Sequence, residues 1–214
     1  EHIKKLVTLD LYDSIVLEKY SESEIHKIGK FISHKRDNLF TYSGLQQLVD
    51  KYLLKNRSTG EVYETPQFAY ILISMIVFSN YPKDKRLDYI KKAYNYISQF
   101  KISLPTPIMA GVRTPIRQYS SCVLVDIGDD LKSIFSSTTA IGYYTARRAG
   151  MGINAGRIRP IGSSIRNGEV IHTGIIPFLK VVESTAKSCS QNGIRGGGGT
   201  VHVPFWHYEI EDVI

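Results

Sequence analysis

Sulfur is scarce in this 214-residue chain: it has two cysteines, three methionines and no C-x-x-C pair. Two thiols cannot build a disulfide framework, and structural zinc needs ligand pairs that are missing here. The six histidines are scattered without HxH or HExxH spacing, so no metal site is expected. Long apolar runs are also missing. A membrane-spanning helix needs about 20 apolar residues, and the longest candidate, 68–78, stops well short. The opening residues, EHIKK, lack the apolar stretch and cleavage site of a signal peptide. A reducing, cytoplasmic setting with no membrane partner is the expectation. The chain opens on Glu rather than Met, as a processed or trimmed piece would.

Glycine is nearly absent from the first half. Only Gly29, Gly44 and Gly60 precede residue 111, and the other fourteen of seventeen follow. The first half therefore reads as helices with polar connections, and the second as alternating elements joined by tight loops. With 43% hydrophobic residues there is apolar surface for a real core, which excludes wholesale disorder. A net charge of +7 favours an anionic partner without naming one.

Local signals place the elements. Ser21 and Glu24 have capping-box spacing for a helix running through Phe31 and Ile32. Thr65-Pro66 is an N-cap and first-turn proline ahead of an apolar helix, 68–78, buried on most faces. Leu87, Ile90, Ala93, Tyr94 and Ile97 recur at helical spacing, and a hairpin is expected at 52–63 around Gly60. After Pro105 and Pro107 the pattern changes. Residues 121–127 read as a buried strand, Asp129-Asp130 opens a helix to about 148, and 152–156 is a short strand or turn. A helix over 173–190, a glycine loop over 193–199 and a strand over 200–203 follow. Strand, helix, strand, helix, strand is the rhythm of an α/β barrel or open parallel sheet. The strands are too few to close a barrel, since an eight-stranded one takes about 250 residues. The expected domains are a mainly helical 1–117 and an α/β 118–214.

Three places could carry chemistry. Cys122 is either a small buried hydrophobe or a redox thiol at a strand mouth, with the Ser120 and Ser121 hydroxyls beside it. A redox thiol needs a partner, which would be Cys189 or a cysteine on another chain. Arg157, Arg159 and Arg166 lie within RIRPIGSSIRNG, which is either a solvated basic loop or an anion site where guanidinium groups and backbone N–H groups meet a polyphosphate. The segment QNGIRGGGG, 191–199, is a plain connector or a loop that a ligand orders, and a single placed cation, Arg195, favours the second. The aromatic residues lie mostly in the helical half at core-compatible spacing, so packing rather than nucleic-acid stacking is their expected role.

Longer runs carry a family resemblance. LPTPIMAGVRTPIRQYSSCVLVDIGDDLKSI, RRAGMGINAGRIRPIGSSIRNG, HTGIIPFLKVVESTAKSCSQNGIRGGGGT and PFWHYEIEDV resemble the large (α) subunit of class I ribonucleotide reductase. The likeness is continuous from residues 37–42 to the last residue and weaker upstream. It implies a helical N-terminal domain followed by the first part of a ten-stranded α/β barrel beginning near Ser120, incomplete in this chain. It implies reduction of ribonucleoside diphosphates to deoxyribonucleotides for DNA synthesis, started by a thiyl radical on another cysteine. Cys122 matches the thiol that protonates the departing 2′-hydroxyl and ends in a disulfide. Thr106, Ser121, Ala149 and Gly150 match positions holding the substrate's diphosphate and ribose, with Arg195 contacting its base or phosphate. Asp129 matches the acid that binds the ribose of a deoxynucleotide effector; Leu131 and Ile165 would line the pocket, and Arg159 and Arg166 would hold its phosphates. Gln191 opens the loop that conveys effector identity to the substrate site.

The implied partners are a complementary portion of the large subunit, a second large subunit in a homodimer and a radical-generating small (β) subunit with its di-metal centre. Thioredoxin or glutaredoxin would be the reductant. No cofactor is expected on this chain beyond deoxynucleoside triphosphate or ATP effectors. The radical cysteine, the partner of Cys122, the catalytic acid and the shuttle cysteines would belong beyond Ile214, and an ATP-binding cone before the helical domain is not seen. Cys189 flanks the effector loop and is not the expected partner. A chain with one reducing thiol is expected to need a complement for turnover. The rival reading is a non-catalytic, nucleotide-binding regulatory module.

Overall fold

A computed structural model of the chain describes residues 1–56, 58–117, 119–147, 149–189 and 198–214. These divide into two units, Glu1–Tyr119 and Ser120–Ile214.

The first unit is helical. It runs α1 (His2–Thr8), α2 (Ile15–Lys19), α3 (Glu22–Gly29), a 3-10 turn (His34–Leu39), α4 (Tyr42–Lys51), α5 (Pro66–Val77), α6 (Lys83–Ser98) and α7 (Thr106–Gly111). The expected caps form. The Ser21 hydroxyl accepts from the Glu24 N–H while the Glu24 carboxylate accepts from the Ser21 N–H, and the Thr65 side chain accepts from the Phe68 N–H. Helix α3 ends at Gly29 rather than running on; Phe31 and Ile32 instead pack on the core from the following turn. The hairpin at 52–63 is reduced to one bridge, Lys55 to Val62, with Gly60 at φ 77°. Helix α5 is apolar on nearly every face and is the centre of the core, with Ala69, Tyr70, Ile71, Leu72, Ile73, Met75 and Ile76 buried.

Two ion pairs tie this unit together. Glu64 and Arg113 have no exposed side-chain surface. The Glu64 carboxylate also accepts from the Tyr12 hydroxyl (2.9 Å) and the Leu54 N–H (2.8 Å), and Arg113 also donates to the Tyr52 carbonyl (2.7 Å). A buried pair is tolerated only when its remaining donors and acceptors are filled in this way. Burial and the neighbouring Glu64 charge push the Tyr12 hydroxyl far above the usual tyrosine range. In the second pair, Arg86 of α6 donates to Glu24 of α3 and to the Lys19 carbonyl (2.8 Å), its guanidinium carbon 4.2 Å from the centre of the Tyr20 ring.

The second unit runs β1 (Cys122–Asp126), α8 (Leu131–Ala146), β2 (Gly150–Asn154), β3 (Ser164–Ile165), a 3-10 turn (Arg166–Gly168), β4 (Val170–Ile171), α9 (Ile176–Cys189), β5 (Gly199–His202) and α10 (Ile210–Val213). Strands β1, β2 and β5 form a parallel sheet in that order, and β3 and β4 form a separate antiparallel hairpin. Among the described residues the sheet does not close into a barrel. Helix α8 opens as expected, with the Asp130 carboxylate accepting from the Ser133 N–H (2.9 Å). Helix α9 starts at Ile176, not 173, because Gly174 sits at φ 92° and breaks the helical run. Strand β2 begins at Gly150, two residues before the expected position.

The expectation of a buried strand over 121–127 is corrected. Val123 and Val125 pack with Met151, Ile153, Ile134 and Val182 beneath the two long helices, but Cys122, Leu124 and Asp126 alternate onto the other face, where Leu124 is 86% exposed. Among the described residues only one side of the sheet is covered, and the period of two sends every second side chain to the bare side.

Glu24 yields a prediction. Burial opposes its ionisation, but hydrogen bonds from Arg86 and Ser21 outweigh burial and hold it down at about 2, against an ordinary 4.5. A carboxylate lowered on folding contributes stability that is whole above the unfolded value and is lost as pH falls through the folded one. Chemical denaturation of the Glu24→Gln variant, followed by far-UV circular dichroism, is expected to show lower stability at neutral pH. It should also show a flatter decline than the parent between pH 4.5 and about 2.

Candidate functional site

Parallel pairing puts Cys122 beside Gly150, Leu124 beside Gly152 and Asp126 beside Asn154, and then Gly152 beside Thr200 and Asn154 beside His202. Paired residues of parallel strands point the same way, so these residues share the bare face. The first row, at the strand mouths, holds Cys122, whose thiol is exposed, next to a residue without a side chain. Leu124 lies across Gly152, where a Cβ would come within 2.5 Å of its Cδ2. The third row is polar: Asn154 donates to Asp126 (2.8 Å), and Arg157 pairs with the other Asp126 oxygen at 3.0 Å.

The second cysteine is elsewhere. Cys189 is the last residue of α9 and packs on α8, its Sγ 3.3 Å from the place a Gly142 Cβ would take. That helix pair covers the Val123 and Val125 side of the sheet, so the two thiols lie on opposite faces.

Main-chain groups near Cys122 are already engaged. The Gly150 N–H donates to the Ser121 carbonyl (2.8 Å), and the buried Ala149 N–H donates to the Tyr144 carbonyl (3.0 Å). What these two residues offer a ligand is therefore shape and close approach, not a free amide donor. Thr106 opens α7 in the helical unit, its hydroxyl 3.2 Å from that of Tyr52.

The arginine stretch is not one cationic cluster. Arg157 is held by Asp126, and Arg159 is held by Asp129 on two sides, its backbone N–H and its Nε each donating to one carboxylate oxygen at 2.7 Å. Arg159 Nη1 reaches on to the Ser164 carbonyl at 3.3 Å, which links Asp129 to the start of β3. Ile165 follows on β3, partly buried. Arg166 forms the exposed tip with Asn167 and Gly168, all at positive φ, and makes no ion pair among the described residues. Leu131, the first residue of α8, is 62% exposed. Asp129, Arg159 and Ile165 are thus brought together at one end of the unit. Gln191 and Arg195 lie outside the described residues.

Sequence reading missed Glu209 and His207. Both are buried, and the Glu209 carboxylate accepts from the Ile161 N–H (2.8 Å) and the Ile175 N–H (3.0 Å). A cavity of about 830 Å³ in the helical unit, floored by Ile25, Ile71, Leu72 and Met75, contains none of the candidate residues. Among the described residues no cluster of His, Cys, Asp and Glu is arranged to hold a metal, and no helix is long and apolar enough to cross a membrane.

Comparison with known proteins agrees with this architecture. The family described as ribonucleotide reductase, all-alpha domain, matches residues 38–117, and ribonucleotide reductase, barrel domain, matches 120–214. The chain is 54% identical over 213 residues to ribonucleoside-diphosphate reductase 1 subunit alpha of Salmonella typhimurium and 53% identical over 214 residues to that of Escherichia coli. It is 50% identical over 214 residues to the subunit alpha of Enterobacteria phage T4. Each comparison covers all of this chain and 28% of the relative's length. The chain belongs to the ribonucleotide reductase large-subunit family.

The turn between the polar row and the arginine stretch is tightly packed. A Cβ on Gly156 would lie 2.3 Å from Pro204 Cδ, part of a rigid ring that cannot swing aside. Overpacking of this kind costs about 1–3 kcal/mol. Gly156→Ala is expected to lower the unfolding temperature of the second unit by about 4–8 °C per kcal/mol, read from the fluorescence of the single tryptophan, Trp206.

Proposed function

We propose that this member of the ribonucleotide reductase family supplies one reducing thiol and an effector-binding hairpin for the conversion of ribonucleoside diphosphates to deoxyribonucleoside diphosphates in the cytoplasm. The observation that carries the reading is the exposed Cys122 at the mouth of β1, on the uncovered face of a parallel sheet. A thiol buried in the apolar layer could not reach a sugar. One at the next position along the strand, in place of Val123, would point into the layer under α8 and α9. Cys122 opens β1 and Gly150 opens β2 beside it, so the thiol stands next to backbone that a residue without a side chain leaves approachable.

In the proposed chemistry a thiyl radical on a second cysteine of a complementary portion removes the 3′-hydrogen of the bound ribose. The Cys122 thiol gives its proton to the 2′-hydroxyl, which leaves as water. The two electrons for the reduction come from Cys122 and a partner thiol, which close to a disulfide as the partner's hydrogen ends on C2′, and the second cysteine returns the 3′-hydrogen to the sugar, which restores its thiyl radical. The radical originates in a di-metal small subunit, and thioredoxin or glutaredoxin reopens the disulfide. Thr106 and Ser121 hold the substrate's diphosphate and ribose by their hydroxyls, while Ala149 and Gly150 shape the floor. Arg195 reaches the substrate and Gln191 belongs to the loop between the two nucleotides. The large subunit works as a homodimer.

For the effector, Asp129 fixes Arg159 from two sides and the Ser164 carbonyl takes its Nη1, which leaves Nη2 for a phosphate, while Arg166 at the hairpin tip adds a second cation. Leu131 and Ile165 offer the apolar sides. Free deoxynucleoside triphosphates or ATP are the ligand class, because guanidinium groups match phosphate oxygens in a fork geometry.

Reconstitution with the complementary portion and the small subunit tests the catalytic half. Deoxynucleotide formation should drop by about 10² to 10⁴, the range for loss of a positioned proton donor, in Cys122→Ser. Turnover near the parent rate in that variant would remove Cys122 from the mechanism. The effector half is tested by calorimetry with a deoxynucleoside triphosphate. Arg166→Ala should weaken binding by about tenfold or more, the usual loss for a hydrogen bond to a charged group.

A further inference from the structure

The β3–β4 hairpin that carries Ile165 and Arg166 has little of its own to hold it. Its strands are two residues long, paired Ser164 to Ile171 and Ile165 to Val170. Two further bonds continue the ladder toward the sheet, from the Gly162 N–H to the His172 carbonyl (3.0 Å) and from the His172 N–H to the Ser163 carbonyl (2.9 Å). A two-stranded ribbon this short is not stable by itself in water, so its placement must be set at its base.

At that base stands Glu209. One carboxylate oxygen accepts from both legs of the hairpin, the Ile161 N–H at 2.8 Å on the way in and the Ile175 N–H at 3.0 Å on the way out. The residue is 4% exposed, so both bonds are shielded from water. Gly174 is required for the approach. It sits at φ 92°, and a Cβ there would lie 2.3 Å from the other Glu209 oxygen. The backbone of Glu209 is itself held, because its N–H donates to His207 Nδ1 (3.2 Å). With Nδ1 accepting, the ring proton lies on Nε2, which donates to the Ile158 carbonyl at 2.9 Å. His207 and Glu209 together thus tie residues 158, 161 and 175 to the segment that follows β5.

We propose that Glu209 is a positioning residue that clamps the base of the 161–175 hairpin and thereby presents Arg166 and Arg159 to the effector's phosphates. This rests on the effector reading above, although Glu209 touches no ligand in that reading.

The full chain is compared with Glu209→Ala, Glu209→Gln and Gly174→Ala by amide hydrogen exchange and by calorimetric titration with dTTP. In Glu209→Ala the amides of Ile161, Ile175 and the hairpin ladder should exchange about tenfold faster or more. Exchange in α5 of the helical unit should stay unchanged, and dTTP affinity should fall by a similar factor. Glu209→Gln keeps an acceptor oxygen at the same reach and should recover both measurements to within about threefold. Gly174→Ala should reproduce the alanine phenotype with the glutamate still present. Unchanged exchange at Ile161 and Ile175 in Glu209→Ala would overturn the clamp. A loosened hairpin with undiminished dTTP affinity would overturn its role in presenting the arginines. If the parent chain took up no dTTP, the effector reading would fall, and the exchange comparison would still decide whether Glu209 holds the hairpin.

Discussion

Function in this chain depends on a sheet that its own helices cover on one side only. Helices α8 and α9 bury Val123, Val125, Met151 and Ile153, and the alternation of side chains then puts Cys122, Leu124, Asp126, Asn154 and His202 on the opposite face, where each is exposed among the described residues. A shift of one residue in register would reverse the arrangement, hiding the thiol and exposing the valines. Parallel sheets normally have both faces covered. The exposed face departs from that pattern, and it is the face on which the proposed thiol stands. The chain spans 28% of its relatives' length.

The covered face also decides which cysteine can do chemistry. Cys189 is absorbed into the contact between α8 and α9, against Gly142, and serves as a small apolar side chain there. Cys122 has a strand mouth and a glycine beside it. In the proposed function the same residue type has two different roles, because one sits on a helix facing a core and the other on the open side of a pleat.

Legibility from sequence followed the range of the interaction. The Ser21–Glu24 capping box and the Thr65-Pro66 start were readable because both are contacts three residues apart. The strand at 122–126 was readable from its β-branched run, but its half-exposure was not, since that depends on what lies across the sheet. The β3–β4 hairpin escaped notice because two-residue strands are too short to show a period and its turn places Arg166 and Asn167, not only glycine, at positive φ. Pairing of Arg159 with Asp129 spans 30 residues, and Glu209 reaches its partners across 48 and 34. No spacing rule connects positions that far apart, so three arginines within ten residues looked like one cationic cluster when two of them are neutralised.

Those long-range contacts share a chemistry that bears on the charge of the whole chain. Glu64 accepts from the Leu54 N–H, Asp129 from the Arg159 N–H, and Glu209 from two N–H groups. In each case a carboxylate satisfies main-chain donors that lack a helical or sheet partner, a need that is costly to leave unmet once water is excluded. Glu64 and Asp129 do this while also pairing with Arg113 and Arg159, so each takes one cation with it and the net charge of +7, from 27 basic and 20 acidic residues, is left to the other groups. Arg166, at the exposed hairpin tip, makes no ion pair among the described residues, and in the proposed function it is a cation left to meet a polyphosphate. The carboxylates that build the irregular segments and the cations that would recruit a nucleotide are in this sense two sides of one allocation of charge.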